Sequence, residues 1–262
     1  MAMIEIDNLH HNYDGIRALS GVGFRVARGE TAVVMGSNGA GKTTLLRHLN
    51  GLLKPDRGRV VVDGLDMAAA PPSQAVRRVG LVFQNPQHMF FAETVWKEVA
   101  FYPKNLGLSD VEDRVERLLR KLDLWELKDK SPFALSQGEQ RRVAIAAVLA
   151  GDPPVIGLDE PISWLDADQT ARVAELIQGL EDKTIVIATH AIDWAMTFTD
   201  QLILLQDGKL LAAGKTQEIV RDRALFERAG LRRPEIIEWG ERIGIAVESV
   251  SEAVQALLER AS

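Results

Sequence analysis

Lys42 and Thr43 close a glycine-rich run, Gly36-Ser37-Asn38-Gly39-Ala40-Gly41-Lys42-Thr43-Thr44. The spacing fits G-x-x-x-x-G-K-[ST], a pattern whose chemistry is phosphate binding. Glycine lets the main chain turn its N–H groups inward around phosphate oxygens. Lys42 is expected to reach the β- and γ-phosphates of a nucleoside triphosphate, and the Thr43 hydroxyl to ligate Mg²⁺. A second reactive set lies far downstream. Val155-Ile156-Gly157-Leu158-Asp159-Glu160 reads as a buried strand ending in two carboxylates. Asp159 is expected to hold the Mg²⁺ shell through water, and Glu160 to polarise an attacking water. Alone, such a pair is a loop acid or a helix cap. Downstream of a phosphate loop, it reads as the second half of a hydrolytic site.

These residues need rigid elements behind them. Thr31–Met35, Val155–Leu158 and Thr184–Ala188 are short β-branched runs expected to be buried strands. They alternate with helix-period segments, which argues an α/β core with a parallel sheet. The loop should open a helix over Lys42–Asn50 with Gly51 as its cap. Ile4–Ile6, Phe24–Val26 and Arg59–Val62 read as antiparallel strands. Gln201–Leu205 and Lys209–Ala213 flank the hairpin pair Asp207-Gly208 and read as antiparallel too. From about residue 85 the pattern turns helical. Ser109 and Glu112 have capping-box spacing, and Val111, Val115, Leu118, Leu119 and Leu122 share one face. The tail after Gly214 is helical, with a second capping-box spacing at Ser249 and Glu252. The expected organisation is one nucleotide-binding domain over 1–214, with a helical lobe at about 85–146 inserted in the α/β core. A helical extension occupies 215–262.

Composition bounds the rest. The 262 residues carry 37 acidic and 31 basic side chains, a net charge of −6. That balance argues against a duplex nucleic-acid binder. The chain has no cysteine, which excludes disulfides and thiolate chemistry. The N-terminus lacks the pattern of a signal peptide, and no apolar run approaches the about 18–20 residues that span a bilayer. The chain reads as soluble and cytosolic, and any membrane role must come through a partner.

Between the two reactive sets lies Leu135-Ser136-Gln137-Gly138-Glu139. This stretch resembles the signature of ATP-binding-cassette (ABC) ATPases, and the rest of the chain follows that family's order. The resemblance implies a P-loop core with a parallel sheet, an antiparallel β subdomain, an inserted helical lobe and a short helical tail. It implies ATP and Mg²⁺ as cofactors. Tyr13 resembles the aromatic that stacks on adenine, with Ala18 as the adjacent apolar contact. Gln84 resembles the glutamine linking the Mg²⁺ site to a membrane partner. Ser163-Trp164-Leu165-Asp166 resembles the loop that crosses the dimer interface. His190 resembles the switch histidine at the γ-phosphate. Each has a plainer reading alone: an edge aromatic, an exposed polar residue, an N-cap at Asp166, a structural histidine. In the family two such domains sit head to tail. Ser136, Gly138 and Glu139 would then face the ATP held by the phosphate loop of a second ATPase subunit, identical or different.

Val79 to Val95, then Asn105-Leu106-Gly107-Leu108 and the tail Ala229-Gly230-Leu231…Pro234-Glu235-Ile236, resemble the ATPases of energy-coupling-factor transporters. That branch imports vitamins or transition-metal ions through a substrate-capture protein and a membrane coupling protein. His88 to Trp96 would lie at the coupling surface. Val250, Val254, Leu257 and Leu258 form one face that packs on its own domain or on the partner. The other readings are the ATPase of another ABC importer or exporter, a soluble ABC ATPase acting on DNA or ribosomes, and a small-molecule kinase.

Three residues depart from the family pattern. Glu139 stands where the signature has Gln, and Gln137 where it has Gly. Ser136 and Glu139 have capping-box spacing, so Glu139 is expected to bond back to Ser136, with Arg141 and Arg142 offsetting its charge. Trp164 is large where the family is small.

Overall fold

The computed structural model describes residues 2–180, 182–245 and Glu252. Two sheets carry the molecule. The smaller is antiparallel, in the order β2-β1-β4-β5. It is built from β1 (Ala2–Tyr13), β2 (Ile16–Ala27), β4 (Arg57–Val62) and β5 (Leu65–Asp66). Met3, Ile4, Ile6, Leu9, Val22 and Val26 line the core beneath it. Polar residues alternate with these apolar ones, as a half-buried sheet requires.

The larger sheet has the order β10-β9-β3-β8-β7-β6. Its strands are β3 (Thr31–Met35), β6 (Val79–Val82), β7 (Val155–Asp159), β8 (Thr184–Ala188), β9 (Gln201–Gln206) and β10 (Lys209–Lys215). Every residue of β3, β6, β7 and β8 is buried, which explains their unbroken apolar runs. These four pair in parallel, and β9 joins β3 in parallel. Sequence alone places β9 only in an antiparallel hairpin. It is that, with β10, but its other edge is parallel to β3. The two-residue turn Asp207-Gly208 fixes the first pairing; burial of Leu202 to Leu205 on both faces fixes the second.

Helices cover the sheet. The first is α1 (Lys42–Leu49), directly after β3, ending at Asn50 with Gly51 at φ 74°. The short α2 (Pro72–Arg78) leads into β6. The lobe follows with α3 (Val95–Leu106), α4 (Val111–Lys121) and α5 (Gln137–Ala150), the last re-entering the core before β7. Next come α6 (Ala167–Gln178) and α7 (Ile192–Ala195). The tail contributes α8 (Thr216–Ile219), α9 (Arg223–Ala229) and α10 (Glu235–Ile243). Arg233 pins the tail: its Nε donates to Val220 O at 3.0 Å, and its two terminal nitrogens grip the Glu241 carboxylate at 3.0 and 2.6 Å.

One expected cap does not form. Asp110, not Ser109, is the N-cap of α4, and no side-chain cap bond is made there. Arg114 draws the Asp110 carboxylate aside at 3.1 Å. The amphipathic face is as read: Val111, Val115 and Leu119 are buried. Ser249, Val250, Val254, Leu257 and Leu258 lie outside the described residues.

The topology positions the chemistry. Strands β3, β8 and β7 are neighbours and run the same way. The phosphate loop, Thr189-His190 and Asp159-Glu160 all leave their C-terminal ends. An open α/β sheet gathers ligand-binding groups at that edge.

Candidate nucleotide-binding site

A cleft of about 500 Å³ sits at this edge. Tyr13, Ala18, loop residues Asn38 to Thr44, Gln84, Asp159 and Glu160 line it. The structure therefore brings together groups from both sheets that are more than a hundred residues apart in sequence.

The loop is shaped by glycines that nothing else could replace. A Cβ on Gly36 would run into Leu205 O and the Ala40 side chain. Gly41 has φ 102°, and a Cβ there would strike Ala18 O and Leu19. Gly39, at φ 84°, faces open space. Ser37 O accepts from Ala40 N, closing the turn. Gly41 caps α1 without any side-chain bond, so the first-turn N–H groups of α1 remain for an anion. Lys42 Nζ donates to Gly36 O at 2.8 Å and Ser37 O at 3.2 Å, and so lies across its own loop.

The carboxylates are buried. Asp159 is 3% exposed and Glu160 6%. Thr43 Oγ1 donates to Asp159 Oδ2 at 2.7 Å, which places two of the three residues expected to hold Mg²⁺ side by side. Burial pushes the Asp159 carboxyl up from its ordinary value; Glu160 adds to this, while Thr43, Lys42 and Arg47 oppose it. Burial also lowers the Lys42 ammonium, with Glu160 and Asp159 pulling the other way. Glu160 adopts φ 48°, a strained conformation that its amide bond to Ala188 O (2.8 Å) holds. Thr189 Oγ1 donates to Glu160 Oε2 at 3.2 Å. His190 Nδ1 lies 3.0 Å from the same oxygen. The exposed His190 thus orients Glu160 from the end of β8. The donor set suits Mg²⁺ and a triphosphate: a hydroxyl beside a carboxylate, a cation, and a glycine cradle.

Ser136, Gly138, Glu139 and Asp166 are absent from this cleft. The Ser136 side chain accepts from Glu139 N at 3.4 Å, and Glu139 Oε2 accepts from both Ser136 N (2.8 Å) and Ser136 Oγ (2.7 Å). This is the expected capping box at the start of α5. Those bonds hold the Glu139 carboxyl below its usual range. Gln137 starts the helix with no positive φ. Gly138 packs on the Gln169 side chain of α6, and Asp166 caps α6 by accepting from Gln169 N at 2.8 Å. Trp164 stands between, 82% exposed at φ 69°.

Arg141 differs from the sequence expectation. It does not offset Glu139, whose neighbouring cations are Arg142 and Lys130. Arg141 is 2% exposed and donates to Phe83 O (2.8 Å) and Gln84 O (2.6 Å). It ties the Gln84 segment to the helix that Ser136 begins. Its signal in sequence was the near-continuous apolar run Val143 to Ala150: a helix buried on all sides leaves an early arginine no solvent to face.

An ABC transporter family model matches residues 19–163. The chain belongs to the ABC transporter family. This ABC ATPase is 39% identical to the energy-coupling factor transporter ATP-binding protein EcfA of Carboxydothermus hydrogenoformans, over 97% of each chain. It is 40% identical to the EcfA of Methanothermobacter thermautotrophicus, covering 93% of this chain and 81% of that one. Among solved structures it resembles cbiO1 of Clostridium perfringens, described as part of the transporter complex cbiONQ: TM-score 0.74, 32% identity, 92% of this chain and 99% of that one. A dimeric ATP-binding cassette with ADP and Pi gives a TM-score of 0.76 at 28% identity, over 81% and 98%. The ABC ATPase is thus an ATP-binding, ATP-hydrolysing subunit of the energy-coupling-factor kind, dependent on Mg²⁺. It works as one of a pair of ATPases attached to membrane subunits. No helix among the described residues is long and apolar enough to cross a membrane itself.

The buried Asp159 carries a stability cost. Its raised pKa means the charged form is disfavoured in the fold, so the cost is present above that pKa and vanishes below the ordinary carboxylate range. Asp159→Asn should raise the melting temperature of the ligand-free chain by a few degrees near pH 7. The gain should shrink as the pH falls toward about 4. A lower melting temperature at neutral pH would contradict this.

Proposed function

We propose that this ABC ATPase powers uptake of a transition-metal ion or vitamin through separate membrane subunits, one capturing the substrate and one coupling it to ATP. The observation that carries the reading is the division of the site. The cleft holds the phosphate loop, Gln84 and the carboxylates, while Ser136 and Glu139 stand on another surface of the same chain. A complete site then needs a second ATPase subunit.

The residues take these roles. Tyr13 and Ala18 receive the adenine. The amides of Gly36 to Thr44 and the Lys42 ammonium stabilise charge on the β- and γ-phosphates. Thr43, Gln84 and, through water, Asp159 would hold Mg²⁺, which when bound neutralises phosphate charge and aligns the leaving group. Glu160 orients a water and takes its proton, with Thr189 and His190 fixing the carboxylate. His190 also reaches the γ-phosphate. Ser136, Gly138 and Asp166 complete the partner's site.

The membrane subunit docks where aromatic side chains face outward. Phe91 and Phe101 are 57% and 49% exposed and pack edge to face at 4.3 Å. Buried Glu98 shapes this surface by accepting from Phe91 N (3.0 Å) and Ala92 N (2.8 Å). The surface lies within the His88–Trp96 segment and its neighbour α3. A bulky tryptophan at positive φ is costly, and Trp164 points into solvent. It fits a partner with a matching hollow, which favours a different chain as the second ATPase. Co-purification of membrane proteins supports the reading; co-purification of ribosomes or DNA would replace it.

Glu160→Gln should cut ATP turnover by about 10²–10⁴ and accumulate an ATP-bound dimer, read by single-turnover assay and sedimentation. Normal turnover would overturn the role of Glu160. Glu139 occupies the Ser136 donors that ATP would need, so closure must break a charge-assisted bond. Glu139→Gln should therefore tighten ATP-driven association by about tenfold. Unchanged or weaker association would reject self-capping as a brake.

A further inference from the structure

Two buried histidines sit between the phosphate loop and Tyr13, and the reaction uses neither. His48, fully buried in α1, donates from Nδ1 to Thr44 O at 2.8 Å, so its ring is clamped back over the first turn of its own helix. His11, 8% exposed on β1, packs edge to face on His48, with centroids 4.7 Å apart and planes at 76°. Its other contact is Tyr13, again edge to face at 4.7 Å and 83°. Neither His11 nitrogen has a hydrogen-bond partner. Ring packing is therefore what the side chain contributes.

The three rings join helix α1, which follows the phosphate loop, to strand β1 of the antiparallel sheet. Thr44 stands in the phosphate-binding turn; Tyr13 ends β1 of the antiparallel sheet, beside the Asp14-Gly15 turn. Tyr13 is 39% exposed, so solvent on one side cannot hold its ring. Asp56, beyond α1, grips the same strand end: its Oδ2 accepts from Asn12 N and Nδ2, both at 2.8 Å.

We propose that His11, braced by His48, is a positioning residue that fixes the Tyr13 ring at a set distance and angle from the phosphate loop. Base and triphosphate then engage one preorganised frame, and less freedom is lost on binding. The inference rests on the reading of Tyr13 as the adenine platform.

The test separates base from phosphate. Affinities of the full chain for MgATP and for inorganic tripolyphosphate with Mg²⁺ are measured by calorimetry. His11→Ala should weaken MgATP by about two- to tenfold, the range that one edge-to-face ring pair sustains, and leave tripolyphosphate unchanged. His11→Phe, which keeps a ring, should restore MgATP affinity. Tyr13→Ala should weaken MgATP at least as much as His11→Ala. Equal losses for both ligands in His11→Ala would mean a merely structural role and overturn the proposal. So would unchanged MgATP affinity in His11→Ala alongside a loss in Tyr13→Ala. If Tyr13→Ala leaves MgATP affinity unchanged, the platform reading itself falls, and the inference with it.

Discussion

Two carboxylates held out of water at the end of β7 set the terms for everything around them. Burying an ionised acid is costly unless charge or hydrogen bonds answer it. Here the answers come from three elements: Thr43 and Lys42 from α1, Thr189 and His190 from the end of β8, and the field of Arg141 from α5. Burial opposes the charge of Lys42 and of Arg141, and the two acids favour it. Each group is tolerable because the others are there. The parallel sheet makes this possible, since its strand ends deliver loop, acids and histidine to one edge.

Arg141 extends that balance beyond the cleft. It faces Asp159 and Glu160 electrostatically and spends its hydrogen bonds on the carbonyls of Phe83 and Gln84. The helix that Ser136 begins is thereby fixed to the Gln84 segment, which leads toward the exposed pair Phe91 and Phe101. Movement of one carries the other. A signature that caps itself through Glu139 adds a threshold to that movement. In the proposed function, that helix is where ATP binding, association and the membrane contact would be linked.

Much of this was legible in the sequence, and the reasons are physical. β3 and β8 were bounded to the residue because both faces are buried and the apolar run stops where burial stops. β1 and β2 ran longer than the read segments, since register shifts near Leu9 and His11 break their alternation. The Ser136–Glu139 box forms because both residues stand at a helix start with nothing nearer to bond. The same spacing at Ser109–Glu112 failed because Asp110 and Arg114 intervene. The positions of the phosphate loop, acidic pair and Gln84 followed from motif order. What stayed hidden needed long-range packing: the buried seat of Arg141, and the ring column from His48 to Tyr13. The apolar run Val143 to Ala150 marks the helix around Arg141 as buried but not what the guanidinium meets, and the ring column leaves no mark on local periodicity.

The fold carries an electrostatic cost at the buried Asp159 which Mg²⁺ and a triphosphate together should relieve. Thermal unfolding of the full chain tests this most directly, in MgATP, in ATP with a chelator, and in Mg²⁺ alone. The account predicts a melting temperature in MgATP well above either single condition, rising with ligand concentration as mass action requires. Equal shifts with and without Mg²⁺, or no shift at all, would contradict it.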